Sequence, residues 1–201
     1  MLRVLPDADV PGVHKTMNHQ LLELAQWIES LPWSTGIHES YYMYNWIEST
    51  HVLSLSLFLG MLFFIDFRML GLVLTTVPAT KIAERLHTPM MIGFAVMIVT
   101  GLLLYFAVPV RVTQSIWFRI KFLLLVLAGI NAWYFNRRMR NSADSWDKQD
   151  RAPRPLRVSV TLSLTLWAGV ITTGRLIAYD WYDCYRVQSE FIAWAAGCMA
   201  D

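Results

Sequence analysis

The fold of this chain is decided by Trp46-Ile47-Glu48-Ser49-Thr50-His51 and the apolar run that follows it, Val52-Leu53-Ser54-Leu55-Ser56-Leu57-Phe58-Leu59-Gly60-Met61-Leu62-Phe63-Phe64-Ile65. Residues 43–65 predict a first membrane-spanning helix, since about 20 apolar residues cross about 30 Å of hydrocarbon. Glu48 and His51 are three residues apart and therefore share one face of that helix. At 1.5 Å per residue, His51 lies about 12 Å into the span.

Composition extends this interpretation to most of the chain. Of 201 residues 55% are hydrophobic and 16% charged, whereas soluble domains carry about 25% charged residues. Three further apolar segments predict spans at 90–108, 117–135 and 158–178. We therefore expect an all-α protein, a polytopic membrane four-helix bundle of residues 43–178. The net charge of +2 provides no basic field of the kind that binds nucleic acid.

Shorter segments flank and connect the spans. Residues 1–42 predict an external N-terminal segment, in which 16–31 have the apolar spacing of an amphipathic helix on the membrane surface or against the bundle. Pro32, Trp33, Ser34 and Gly36 are expected to break the chain after this helix. Asp66, Phe67 and Arg68 are expected to end the first span, and Pro89 to lie in the first turn of the second. Pro109, Arg111 and Gln114 predict a short loop, and residues 179–201 an external C-terminal tail.

The positions of Lys and Arg predict the orientation. Most of them lie in the connections after the first and third spans, which are therefore expected to be cytoplasmic. Both termini would then be periplasmic in a bacterial inner (cytoplasmic) membrane. Cys184 and Cys198 would face an oxidising compartment, where a disulfide between them would stabilise the tail by roughly 3 kcal/mol. The alternative is two unrelated thiols.

Ionisable residues inside a membrane are candidates for function. The sequence places six at the outer side of the spans: Glu48, His51, Arg119, Lys121, Arg175 and Asp180. All of them except Asp180 form the candidate cofactor-binding set, and His51 is the candidate metal ligand.

Several interpretations of this cluster remain open. A b-type haem would use His51 as an iron ligand and the basic side chains for its propionates. A bis-His haem needs a second histidine that no span provides. A non-haem metal would need further ligands, yet spans two to four contain no Asp, Glu or His.

Two alternatives need no metal. A quinone or small anion would be held by His51, Lys121 and Arg175. In a purely structural interpretation no cofactor binds: Glu48 neutralises Lys121 or Arg175, and the protein is a non-catalytic accessory subunit that packs against a larger membrane protein complex.

The chain also resembles an uncharacterised family of small bacterial four-helix membrane proteins over about residues 17–180. The resemblance rests on these segments: Ile47-Glu48-x-x-His51-Val52-Leu53, Asp66-Phe67-Arg68-Met69-Leu70-Gly71, Thr100-Gly101-Leu102-Leu103, Arg119-x-Lys121, and Gly174-Arg175-Leu176-Ile177-Ala178-Tyr179. It implies the fold but no established activity. The position of a histidine near the start of the first helix is also similar to that in small cytochrome b-like and copper-resistance membrane proteins.

Other functional classes have no sequence support. The chain has no Gly-rich phosphate loop and no Cys-x-x-Cys or Cys-x-x-Cys-His motif. Paired broken helices and internal repeats, which are typical of transporters, are not visible. We therefore expect an integral membrane subunit associated with electron transfer, embedded in the lipid bilayer and not an enzyme on its own.

Overall fold

Helices make up every regular element in the part of the chain that is described. The computed structural model describes residues 17–147, 149, 151–179, 184 and 189–198. The helices are α1 Met17–Glu29, α2 Pro32–Glu39, α3 Met43–Leu70, α4 Ala79–Ala107, α5 Pro109–Thr113, α6 Ile116–Trp146, α7 Arg154–Ile177 and α8 Glu190–Ala196.

Four helices are long and apolar enough to cross a membrane: α3, α4, the 116–140 part of α6, and α7. α3 packs along α4, α6 packs along α7, and α3 also lies against α7, whereas α4 and α6 are not closely packed. The predicted all-α, four-helix membrane bundle is confirmed, and the protein is a multi-pass membrane protein. We call the end of the bundle at which α3 begins the His51 end, and the opposite end the Arg68 end.

The predicted helix boundaries were wrong at the Arg68 end. α3 does not end at Asp66 but continues to Leu70, and α4 begins at Ala79, so that Pro89 lies in its interior rather than in its first turn. The prediction placed the helix ends where the apolar runs end, but a helix continues as long as its backbone hydrogen bonds continue. Gly71 provides that end for α3: its φ is 76°, and its N–H donates to the carbonyl of Arg68 at 3.0 Å, as in a C-terminal glycine cap.

Two segments expected to be irregular are short helices. Pro32 begins α2 and Pro109 begins α5, each at the first helical position. The backbone N–H at this position makes no hydrogen bond within the helix, so a proline there removes none. Ser34 then joins α2 to the end of α4, because its hydroxyl donates to the carbonyl of Phe106 at 2.6 Å.

The predicted amphipathic helix is α1, which ends at Glu29 rather than at residue 31 and packs against α5, while residues 1–16 of the predicted N-terminal segment lie outside the described residues. Ala25 and Ile28 are buried in this contact, while Leu24 and Trp27 remain exposed. The helix therefore uses one apolar face against the bundle and presents apolar side chains outward as well.

A buried arginine joins the two connections at the Arg68 end. Arg68 is 1% exposed. Its Nε donates to the carbonyl of Val77 at 2.7 Å, and its Nη2 donates to the carbonyls of Thr75 at 3.1 Å and Gln149 at 3.2 Å. The α3–α4 connection and the segment after α6 are therefore held by one side chain.

A second link at this end caps α4. The carboxylate of Asp147 accepts hydrogen bonds from the backbone N–H of Thr80, at 3.0 Å, and from its hydroxyl. We expect Asp147→Ala to lower the free energy of unfolding by about 1 kcal/mol, because the N–H at the start of α4 loses its acceptor. Denaturant unfolding in detergent would measure this. Glu84→Ala, at an exposed position of α4, is the control; equal effects of the two substitutions would contradict the capping role.

Candidate functional site

The central residue of the site is His51, which α3 directs at α4. Its Nδ1 lies 3.0 Å from the carbonyl oxygen of Met97 and 3.0 Å from Oγ1 of Thr100. A carbonyl can only accept, so Nδ1 carries the proton. Nε2 of the neutral ring therefore has a free lone pair, and within the described ranges it makes no hydrogen bond.

A glycine lets the imidazole approach α4 this closely. A Cβ atom at Gly101 would lie 3.1 Å from Cε1 and 3.6 Å from Nδ1 of His51. Thr100, the preceding residue, is itself fixed because its hydroxyl donates to the carbonyl of Val96 at 2.7 Å. The ring orientation of His51 is thus set by the backbone of α4.

Lys121 lies at the same end of the bundle and is partly buried. Its Nζ is 3.5 Å from the position that a Cβ at Gly174 of α7 would take, and it is within electrostatic range of His51. It makes no hydrogen bond or ion pair with any residue that the structure describes. An ionisable side chain inside a membrane is costly and marks a functional position by default.

An apolar layer separates this site from the Arg68 end. It consists of Phe58, Leu59, Met97, Ala128, Leu166, Trp167 and Val170, all buried. Phe58 and Trp167 pack edge to face with ring centroids 5.0 Å apart. The interior of the bundle is therefore apolar at this level, between the site and the Arg68 end.

The other predicted site residues are not brought to His51. Glu48 is exposed and forms no ion pair with Lys121 or Arg175 among the described residues, so the predicted neutralisation by Glu48 was wrong. Arg175 is exposed, and its guanidinium carbon lies 5.1 Å from the ring centroid of Tyr179.

Arg119 has a structural position. Its Nη1 donates to Oδ1 of Asn18 at 3.0 Å, and its guanidinium also contacts Gly197. It therefore connects α6 with α1 and with the end of α8. Cys184 and Cys198 are joined by a disulfide in the same region of the tail.

Sequence reasoning missed three features of the bundle interior. The glycines at 101 and 174 were read only as small packing residues, although each lies against a basic side chain. Asp66 was read as a helix end, but it is 3% exposed, it interacts with Ser163, and its Oδ2 lacks a hydrogen-bond partner among the described residues. Within the described ranges, no group of three or more His, Cys, Asp or Glu residues is placed to hold a metal ion.

Comparison with known protein families adds one finding. Residues 34–180 match the family of unknown function DUF6644. The chain belongs to the DUF6644 family. The predicted resemblance to an uncharacterised family is confirmed, and the DUF6644 match contains the four long helices with His51 and Lys121. No curated protein and no solved structure matches the chain.

Proposed function

We propose that this DUF6644 protein is a membrane subunit associated with electron transfer, and that it binds a b-type haem through Nε2 of His51. One observation carries the proposal: the carbonyl of Met97 fixes Nδ1–H, at 3.0 Å, and leaves Nε2 free. Histidines that bind metals almost always donate their other N–H to a carbonyl, carboxylate or water, which sets the tautomer and the ring orientation. His51 therefore has the arrangement of an iron ligand.

The surrounding residues fit this use. Thr100 and Met97 orient the imidazole, and Gly101 provides the space in which it lies. The cation of Lys121, which has no hydrogen-bond or ion-pair partner among the described residues, would supply positive charge beside the ligand. Bound haem would supply one-electron redox chemistry, and the apolar layer below the site would limit access of water.

The charge distribution supports a location for the site. Lys and Arg cluster at the Arg68 end, in the helix ends and connections there: Lys81, Arg85, Arg137, Arg138, Arg140, Arg151, Arg154 and Arg157. By the preference of such connections for the cytoplasm, we place the His51 end on the periplasmic side of a bacterial inner membrane.

Lys121 favours a second candidate, a quinol site. A quinol hydroxyl could donate to Nε2 of His51 while its oxygen accepts from the ammonium of Lys121. Nε2 of His51 would then receive the proton. The ammonium of Lys121 would stabilise the negative charge that remains on the quinol oxygen. This candidate uses both observed groups without a second metal ligand.

An absorption spectrum of the protein purified in detergent tests the haem proposal. We expect reduced-minus-oxidised bands of a b-type haem, with iron present in the same sample. His51→Ala should lower haem content at least about tenfold, since even residues that only orient a metal ligand change metal affinity by 10–100-fold. His87→Ala is the matched control, because His87 is exposed and lies in the half of α4 nearer the Arg68 end.

The other outcomes separate the candidates. A flat difference spectrum without iron in the wild-type protein would overturn haem binding. Quinone extracted from wild type but not from His51→Ala would then favour the quinol site. A third outcome is that neither haem nor quinone is found, but that other membrane proteins co-purify with wild type and not with His51→Ala. This outcome would favour the accessory-subunit role.

A further inference from the structure

The two helix pairs of the bundle share one local arrangement. In the α3–α4 pair, His51 of the first helix lies against Gly101 of the second. In the α6–α7 pair, Lys121 of the first helix lies against Gly174 of the second. Each pair thus places one basic side chain over a glycine of its returning helix.

The residues around the two glycines strengthen the correspondence. Segment 95–101 reads Ala-Val-Met-Ile-Val-Thr-Gly, and segment 168–174 reads Ala-Gly-Val-Ile-Thr-Thr-Gly. The hydroxyl of Thr100 donates to the carbonyl of Val96 at 2.7 Å, and that of Thr173 donates to the carbonyl of Gly169 at 2.8 Å. Both threonines are buried, and each bonds four residues back along its own helix.

Helix direction agrees with a repeat. α3 and α6 both run from the His51 end to the Arg68 end, while α4 and α7 return. Two hairpins of the same direction are related by an axis along the bundle, as in membrane proteins built from parallel repeats. The repeat was not visible in the sequence because it consists of a few contacts between helices rather than a long run of identical residues.

The correspondence is not complete. α3 packs against α7, but the equivalent pair, α4 and α6, is not closely packed. At the His51 end these two helices meet through side chains, where the rings of Tyr105 and Phe118 stack with centroids 5.6 Å apart.

We infer that Lys121 is the counterpart of His51 in the second hairpin and holds the same ligand from the opposite side. This inference rests on the proposed function. For a haem, His51 would hold the iron and Lys121 would supply positive charge from across the site. For either ligand, this contact would engage an Nζ that has no partner among the described residues.

Lys121→His tests the inference directly. A histidine at this position should supply a second imidazole across the haem. We expect a six-coordinate, low-spin, bis-imidazole spectrum by electron paramagnetic resonance and magnetic circular dichroism, different from that of the wild-type protein. Arg175→His is the matched control: position 175 is exposed, so its spectrum should remain that of the wild type.

The outcomes distinguish the inference from the proposed function. If wild type binds haem through His51 but Lys121→His leaves the spin state and the midpoint potential unchanged, the inference fails and the haem proposal stands. If the wild-type protein holds no haem, haemin is added to Lys121→His; bis-imidazole binding that Arg175→His does not show would support the opposed positions, and its absence would overturn them. Should Lys121→His fail to fold, Lys121→Gln is used instead: an unchanged haem spectrum, potential and retention in that variant would overturn the inference.

Discussion

Arg68→Ala is expected to lower the free energy of unfolding by at least about 3 kcal/mol. The substitution removes a buried guanidinium that donates to the carbonyls of Thr75, Val77 and Gln149. These three hydrogen bonds are partly shielded from solvent, and a hydrogen bond to a charged group contributes about 1.5–3 kcal/mol. Thermal unfolding of the protein in detergent, together with its yield in the membrane, measures the effect.

Two variants define the reason for this loss. Arg85→Ala removes a cation from the same end of the bundle, but from an exposed position, and should have little effect. Arg68→Lys should recover only part of the stability, because an ammonium cannot reproduce the planar fork of donors that reaches three carbonyls. If Arg85→Ala and Arg68→Ala lowered stability equally, general charge at this end rather than the bonding of Arg68 would be responsible.

On the proposal that His51 binds a haem, Gly101→Leu is expected to reduce haem content at least about tenfold without altering the ligand itself. A Cβ at this position would already lie 3.1 Å from Cε1 of His51, so the larger side chain must push the imidazole off the carbonyl of Met97. Loss of an orienting contact to a metal ligand typically costs 10–100-fold in affinity. Haem content per protein, measured after size-exclusion chromatography, tests this.

The matched control is Gly60→Leu in α3. A Cβ at Gly60 would have no atom within 4 Å, so the substitution introduces the same side chain into a membrane helix without displacing a neighbour. Equal haem loss in both variants would show that the effect comes from the helices and not from the position of His51.

The four spans could be predicted from the sequence because the length of an apolar run is a local property. The burial of Arg68 could not be predicted in this way. Its charge is accommodated by a carbonyl from Gln149, which is 81 residues away along the chain. Hydropathy assigned Asp66 and Arg68 to the end of a helix, although the folded chain brings enough acceptors to bury the arginine completely.

Within the candidate site, residue type and depth identified His51 and Lys121. The position along the predicted span also selected Arg119. This residue is two positions from Lys121 and therefore points to a different side of α6. Glu48 and Arg175 were selected for the same reason and are exposed. The rotation of each helix about its axis decides which side chains meet, and that rotation depends on contacts between helices, such as those at Gly101 and Gly174.

The bonds of Arg68 to both connections have a mechanical consequence. They hold the beginning of α4 to the segment after α6, so any tilt of α4 relative to α6 would be smallest at the Arg68 end. α4 has 29 residues and is therefore about 43 Å long, so a tilt of about 5° at the Arg68 end would move its far end by about 4 Å. The largest displacement would fall beside Tyr105 and Phe118, at the His51 end.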